Sequence, residues 1–348
     1  MTRSVLFAIT AAALFGASTP FAKQLLGDLH PLLLAGLFYL GSGFGLTAAR
    51  TIRDRGWTDT GLERGDWPWW LGAILFGGVL GPVALLFGLA QTSAGSASLL
   101  LNLEAVLTAL LAWVVFHENA DRRIVVGMIL IVAGGALLSW PTGGKSAADS
   151  GGLGPLLVAG ACLCWAIDNN LTRKVSSADA VFIAGSKGLV AGLTNTALAV
   201  VVGVQWPPTG VTASALLLGL AGYGISLVFF VLALRGLGTA RTGAYFSTAP
   251  FVGAAISLLW LNEPASPAFW VAGALMALGV WLHLTERHEH EHTHEPVTHS
   301  HRHLHDEHHQ HDHDYPVDPG TTHEHLHTHA AMTHRHAHLP DIHHRHRP

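Results

Sequence analysis

Charge is scarce in this chain of 348 residues, with Asp, Glu, Lys and Arg supplying 12% of it. A soluble domain carries about 25%, so a water-facing globule is excluded for most of the chain. Cysteine is nearly missing: Cys162 and Cys164 both lie inside an apolar run, which excludes a disulfide framework and leaves the redox compartment unread. Two positions apart on a helix they point about 200° from each other, which excludes joint metal binding. No ATP-binding loop of the Walker kind occurs, nor any soluble catalytic domain. The chain is read as no enzyme, with no cofactor required. No nucleic-acid partner is expected either.

What is present is apolar. Half the residues are hydrophobic and 39 are glycine. A bilayer core is crossed by about 20 mainly apolar residues in a helix, and ten stretches qualify, approximately 4 to 26, 31 to 50, 68 to 90, 95 to 116, 122 to 140, 153 to 172, 180 to 204, 211 to 234, 239 to 261 and 267 to 285. The first has the basic residue and apolar core of a signal peptide, but the apolar pattern runs on to Leu26 and further spans follow, so it reads as an uncleaved helix. Pro20, Pro82 and Pro250 interrupt spans, as is tolerated in membranes beside a cavity. With the N-terminus inside, the cytoplasmic loops gather Arg3, Arg50, Arg53, Arg55, Arg64, Arg122, Arg123, Arg173, Lys174, Arg235 and Arg241, against Lys23 and Lys145 on the other side. Basic residues favour the cytoplasmic face, which puts both termini in the cytoplasm and the chain in a bacterial inner membrane.

The stretch from Gln91 to Leu138 returns between Arg235 and Leu284: two apolar runs around a polar break, with Glu118 answering Glu263 and Gly134 answering Gly279 at one spacing of 145. The pattern predicts an all-α integral membrane protein of ten transmembrane helices in two five-helix repeats, 1 to 140 and 153 to 285, joined by a Gly/Ser/Ala linker at 141 to 152 and followed by a tail at 286 to 348. Five helices per half is odd, so the second half inserts upside down. Such inverted repeats let secondary transporters alternate access to a site near the midplane.

The first and sixth spans (ALFGASTPFAKQLL and CWAIDNNLTRKV), the LEA and TAP turns, and the HEN and NEP endings resemble the drug/metabolite transporter superfamily, specifically its EamA-domain members. The resemblance covers residues 4 to 285, in two copies. It departs from the family pattern in having Ala105 where the second copy keeps Pro250, and in showing the aromatic of the first-helix motif, Trp165, only in the second copy. The resemblance implies a secondary transporter, often an exporter of amino acids or other small metabolites, working as monomer or homodimer in the lipid bilayer.

Polar residues within spans are the informative ones, because they are costly there. Glu104 lies roughly 14 Å into the fourth span, close to the midplane of a core about 30 Å thick. It could take up and release a proton as access alternates, or it could be a neutral carboxyl bonded to a neighbour such as Asn102. Asp168, Asn169 and Asn170 sit near the cytoplasmic end of the sixth span and Lys187 enters the seventh from the same side. Asp168 and Lys187 could pair and gate the inner mouth; alternatively Lys187 snorkels and Asp168 caps its helix. Tyr223 and Trp165 are candidate lining aromatics or packing residues. Trp67, Trp69 and Trp70 read as interfacial anchors, and Glu118 and Glu263 as loop charges at span ends.

All but three of the 25 histidines follow position 287. The tail has too few apolar residues to bury a core, so composition predicts disorder. Imidazole suits zinc, nickel, cobalt and copper, and the candidate ligands are His288, His290, His292, His294, His299, His301, His303, His305, His308, His309, His311, His313, His323, His325, His327 and His329. The spacing selects no one metal. Imidazoles near pKa 6.5 would also charge the tail in mild acid. Two transport readings follow: export of a small organic solute with the tail as accessory, or transport of a divalent metal that the tail collects. A membrane-tethered metal binder without transport is a third, and ten spans are more than a tether needs.

Overall fold

The computed structural model describes residues 2–55, 60–116, 122–140, 153–175, 178–285, 289–294, 297–303, 323–329 and 332–337. The linker at 141–152, Glu118 and several tail histidines (His288, His305, His308, His309, His311 and His313) lie outside them. The chain divides into two compact units, Met1–Glu286 and Arg287–Pro348.

The described residues of the first unit are helical: α1 (Thr2–Leu25), α2 (Pro31–Asp54), α3 (Trp67–Ala73), α4 (Gly81–Ala90), α5 (Ala94–Leu100), α6 (Leu103–Phe116), α7 (Arg122–Ser139), α8 (Leu153–Lys174), α9 (Ala180–Val201), α10 (Thr209–Gly219), α11 (Ser226–Phe246), α12 (Ala249–Leu259) and α13 (Pro267–Leu284). Several start where side chains take orphan N–H groups. Ser93 accepts from the Ser96 N–H at 3.2 Å, Asp179 from Phe182 at 2.7 Å and Ser266 from Phe269 at 3.2 Å. Among the described residues seven segments are apolar and long enough to cross a membrane, and the shorter Ala249–Leu259 and Pro267–His283 are apolar as well. α8 matches them in length but breaks its apolar run with Asp168, Asn169 and Asn170.

Two seams of small residues hold this unit together. α2 and α9 cross antiparallel at Gly43 and Gly188, where a Cβ on Gly43 would lie 2.7 Å from the Gly188 carbonyl carbon and a Cβ on Gly188 the same distance from Gly43 Cα. On one side of the crossing Gly192 meets Leu40, and on the other Gly185 meets Thr47. α7 and α13 cross likewise: Gly134 meets Ala272 and Met276, and Gly279 meets Gly127 and Ile131. Lipid supplies no hydrophobic drive between helices, so close backbone approach of this kind takes its place. Gly43 and Gly188, Leu40 and Gly185, Gly127 and Ala272, and Ile131 and Met276 are each 145 apart.

Several expected boundaries are corrected. The stretch 95 to 116, expected as one helix, breaks at Leu101–Asn102 between α5 and α6. The expected spans 211 to 234 and 239 to 261 are joined within α11, whose residues stay helical from Ser226 to Phe246, and a further break falls at Ser247–Thr248, between α11 and α12 and just before Pro250. Proline lacks the N–H that a continuing helix needs, which accounts for the second break; the first, with Ala105 in that place, follows from no residue pattern. α11 is not straight. The rings of Phe230 and Phe246 stand 4.9 Å apart, whereas 16 residues of straight helix extend about 24 Å, so the chain reverses within it. Two π-helical segments, Ile74–Leu80 before α4 and Leu220–Ile225 before α11, also end 145 apart.

The described residues of the second unit form β1 (Glu289–His294), β2 (Val297–His303), β3 (His323–His329) and β4 (Met332–Ala337), with β1 antiparallel to β4 and β2 to β3. Composition argued against a packed core, but the alternation of His with other residues has the two-residue period of a strand. The register also sets Glu291 opposite Arg335 and Arg302 opposite Glu324, a sequence pairing that suits antiparallel strands.

Candidate functional site

The π segment Ile74–Leu80 shapes one side of the site. Its wider turn frees carbonyls from the regular ladder, and such segments recur at functional sites. The Gly77 carbonyl accepts the Tyr39 hydroxyl at 2.6 Å and Trp165 Nε1 at 3.1 Å, and the Gly78 carbonyl accepts Asn195 Nδ2 at 3.2 Å. Gly77 also makes room for an ion pair, since a Cβ there would lie 2.6 Å from Lys187 Nζ and closer still to the Asp168 carboxylate.

Asp168 on α8 and Lys187 on α9 meet in that pair, both largely buried. Thr172 donates to the other Asp168 oxygen at 3.0 Å, so the carboxylate is held from two helices. The pairing reading therefore describes the geometry better than snorkelling and capping. One turn of helix away from Trp165, Asn169 donates to Glu104 Oε1 at 2.9 Å. The break at Leu101–Asn102 puts Glu104 in the first turn of α6, facing α8.

Asn102 is not the partner of Glu104. It is buried and donates to the Leu99 carbonyl at 2.9 Å, with the Met276 sulfur at 3.9 Å, so it closes the end of α5. Asn170 donates back to Ala166 at 2.8 Å and serves its own helix. Tyr223, from the second π segment, packs edge-on or tilted among Phe15, Phe38 and Tyr39 with centroids 5.5 to 5.9 Å apart. Phe15 touches Trp165 at 6.2 Å, so the first helix does present an aromatic to its counterpart. The result is an aromatic cluster next to a carboxyl and an ion pair.

Sequence reasoning missed Phe15, Tyr39, Gly77 and Asn195. Only the Gly-Gly pair in FGGVLGP hinted that backbone would be approached there. It also misread Glu263, which is more than a loop charge: its two oxygens accept from the Ala94 and Gly95 N–H groups at 2.8 Å each. Cys162 is buried and Cys164 half-buried, both free. Trp67 and Trp69 are exposed as anchors would be, while Trp70 is buried.

Near the loops an ionic cluster joins α2 to α9. Arg53 bonds Asp54 at 2.5 Å and Asp179 at 2.7 Å, with Arg50 3.4 Å from Asp54 and 3.7 Å from Asp179. Burial pushes the Asp179 carboxyl up, but the Phe182 N–H and the Arg53 guanidinium outweigh it and hold the carboxyl below its usual range. The bonds to Asp54 and Asp179 keep Arg53 charged more firmly than usual.

Among the described residues whose side chains are placed, no three His, Cys, Asp or Glu gather as metal ligands would. In the tail, the register sets His299 opposite His327, His301 opposite His325 and His303 opposite His323 on one ladder, and His290 opposite His336 and His292 opposite His334 on the other. His294 and His329 stand opposite Met332 and Val297.

Residues 2–140 and 152–285 each match the profile of the EamA-like transporter family. An "Uncharacterized transporter" of Methanothermobacter thermautotrophicus is 28% identical over 290 residues, 79% of this chain and 84% of that one. A "Probable 4-amino-4-deoxy-L-arabinose-phosphoundecaprenol flippase subunit ArnE" of Pseudomonas aeruginosa is 39% identical over 110 residues, 32% of this chain and 91% of its own length. A "Probable terminal-alkyne amino-acid exporter" of Streptantibioticus cattleyicolor is 27% identical over 203 residues, 58% of this chain and 67% of that protein.

Proposed function

Because this chain belongs to the EamA-like transporter family and is an integral membrane protein of the drug/metabolite transporter type, we propose that it exports a small organic metabolite by alternating access. In this reading ten spans form two five-helix halves in opposite senses, and a proton exchanged at Glu104 drives the cycle. The carrying observation is the antiparallel crossing of α2 with α9 and of α7 with α13 at positions 145 apart. A two-fold axis in the membrane plane would relate helices in that way, and such a relation gives two conformations of similar energy. The helix breaks beside Asn102 and Ser247, also 145 apart, support a binding site where the halves meet. The relatives named as exporter and flippase subunit support an organic cargo, and the aromatic cluster around Tyr223 suits one.

The positive-inside count supports cytoplasmic termini in a bacterial inner membrane, with a monomer or homodimer as the unit. The tail binds zinc, nickel, cobalt or copper, to which imidazole is suited, and the register that sets histidine opposite histidine along both ladders supports this. That same tail favours a second reading, in which a divalent metal is the cargo. Flux into proteoliposomes decides between them. Accumulation of an amino acid or similar solute driven by a proton gradient, unchanged on truncation at Glu286, supports the first reading. Metal flux that Glu104→Gln abolishes and truncation weakens supports the second.

A further inference from the structure

The helix of the first π segment loses a backbone donor where it returns to α4. Gly81 donates back five positions, to the Phe76 carbonyl. At that spacing residue 82 would serve Gly77, and at the ordinary spacing of four it would serve Gly78, but residue 82 is proline and has no N–H. Other helices supply the donors. Tyr39 of α2 and Trp165 of α8 donate to the Gly77 carbonyl, and Asn195 of α9 donates to that of Gly78. The Asn195 amide oxygen is left over: the residue is fully buried, and this oxygen has no partner among the described residues.

A pair of charges lies against the same backbone. The Asp168 carboxylate, which accepts from Thr172 at 3.0 Å, meets the Lys187 ammonium beside Gly77, in space that a Cβ would fill. In transporters with broken helices, carbonyls of opened backbone coordinate sodium, because carbonyl oxygens can replace its hydration shell. A lysine ammonium is a compact single charge, able to stand where such an ion would. The counterpart π segment, Leu220–Ile225, is built otherwise. Its Ser226 also donates back five positions, to Ala221, but the next residue is Leu227, which keeps its N–H. The room at Gly222 goes to Ser18, whose Cβ would lie 2.7 Å from an added carbon.

We propose that Asp168, Thr172 and the opened backbone at Gly77 and Gly78 form a site for a monovalent cation, and that Lys187 fills it as a tethered ion. The native chain therefore needs no sodium at this point, and sodium takes the place when the ammonium is removed. This goes beyond the transport reading and holds whatever solute is carried.

Thermal melting of the full-length protein in detergent tests it, in about 0.15 M sodium chloride against choline chloride of the same ionic strength. Choline is too large for the space of an ammonium, so it serves as the inert salt. The parent is expected to melt at one temperature in both. Lys187→Met strands the Asp168 carboxylate and is expected to melt about 5 °C higher in sodium, as an ion bound well above its dissociation constant produces. Lys187→Met combined with Asp168→Asn has no charge to neutralise and is expected to lose that difference. A Lys187→Met protein indifferent to sodium, or a shift of equal size in the parent or the double variant, overturns the site. Lys187→Met that is unfolded in both salts overturns it too, because an ion held there would replace the missing charge. None of these results bears on alternating access, which flux decides.

Discussion

Glu104 and Asp168 sit within two helical turns of each other's partners yet take different roles. Glu104 has one polar partner, Asn169, and so can exchange a proton without dismantling an ion pair. Glu104→Gln should leave the protein folded and remove the pH dependence of flux; a variant that transports with the parent's pH profile would refute the role. Asp168 faces Lys187, and removing one member of a buried pair costs about 3–5 kcal/mol because the other charge is stranded. Asp168→Asn should therefore lower thermal stability in detergent sharply, and Asp168→Asn with Lys187→Met should recover more than half of the loss. Asp179 is a pH-sensitive group outside the spans. Its carboxyl is depressed in the folded protein, so its contribution is complete above the unfolded value of about 3.9 and fades as pH falls through the folded value. Solvent screening holds that contribution below about 1 kcal/mol, and the melting difference between parent and Asp179→Asn should shrink on acidification below about pH 4.

The sequence made Asp168 and Lys187 legible as a pair because adjacent antiparallel helices bring equal depths together. Glu104 with Asn169 was not legible, since it depends on the break at Leu101–Asn102, which no proline marks. Nor could Glu263 be read, because the N–H groups it binds are free only where α5 begins afresh at Ala94. The tail's composition points to disorder, while the alternation in HEHEHTH has the period of a strand.

At the scale of elements the two glycine seams carry the packing. Gly43 and Gly188 are each so close to the other's backbone that a methyl group has no space, and overfilling a packed site costs about 1–3 kcal/mol. Gly43→Ala should lower the melting temperature, whereas Gly160→Ala, with nothing near its added carbon, should not. Equal effects of the two would show that the α2–α9 crossing is not a tight seam. The first π segment acts differently. By freeing the Gly77 and Gly78 carbonyls it gathers Tyr39, Trp165 and Asn195 around one stretch of backbone.

At the scale of the molecule, the repeat read from Glu118 with Glu263 and Gly134 with Gly279 extends to contacts no sequence spacing alone foretells, such as Gly43 on Gly188 and Ile131 beside Met276. The proposed alternating access requires a central cavity reachable from either side. The most direct measurement is labelling of a single cysteine at Ser18, beside Tyr223 and Phe15, in sealed proteoliposomes of defined orientation, with Cys162 and Cys164 changed to Ala. An impermeant thiol reagent is predicted to reach it from the outer face and, in separate samples, from the inner face. Reaction from one face only, under conditions where flux is observed, would contradict the account.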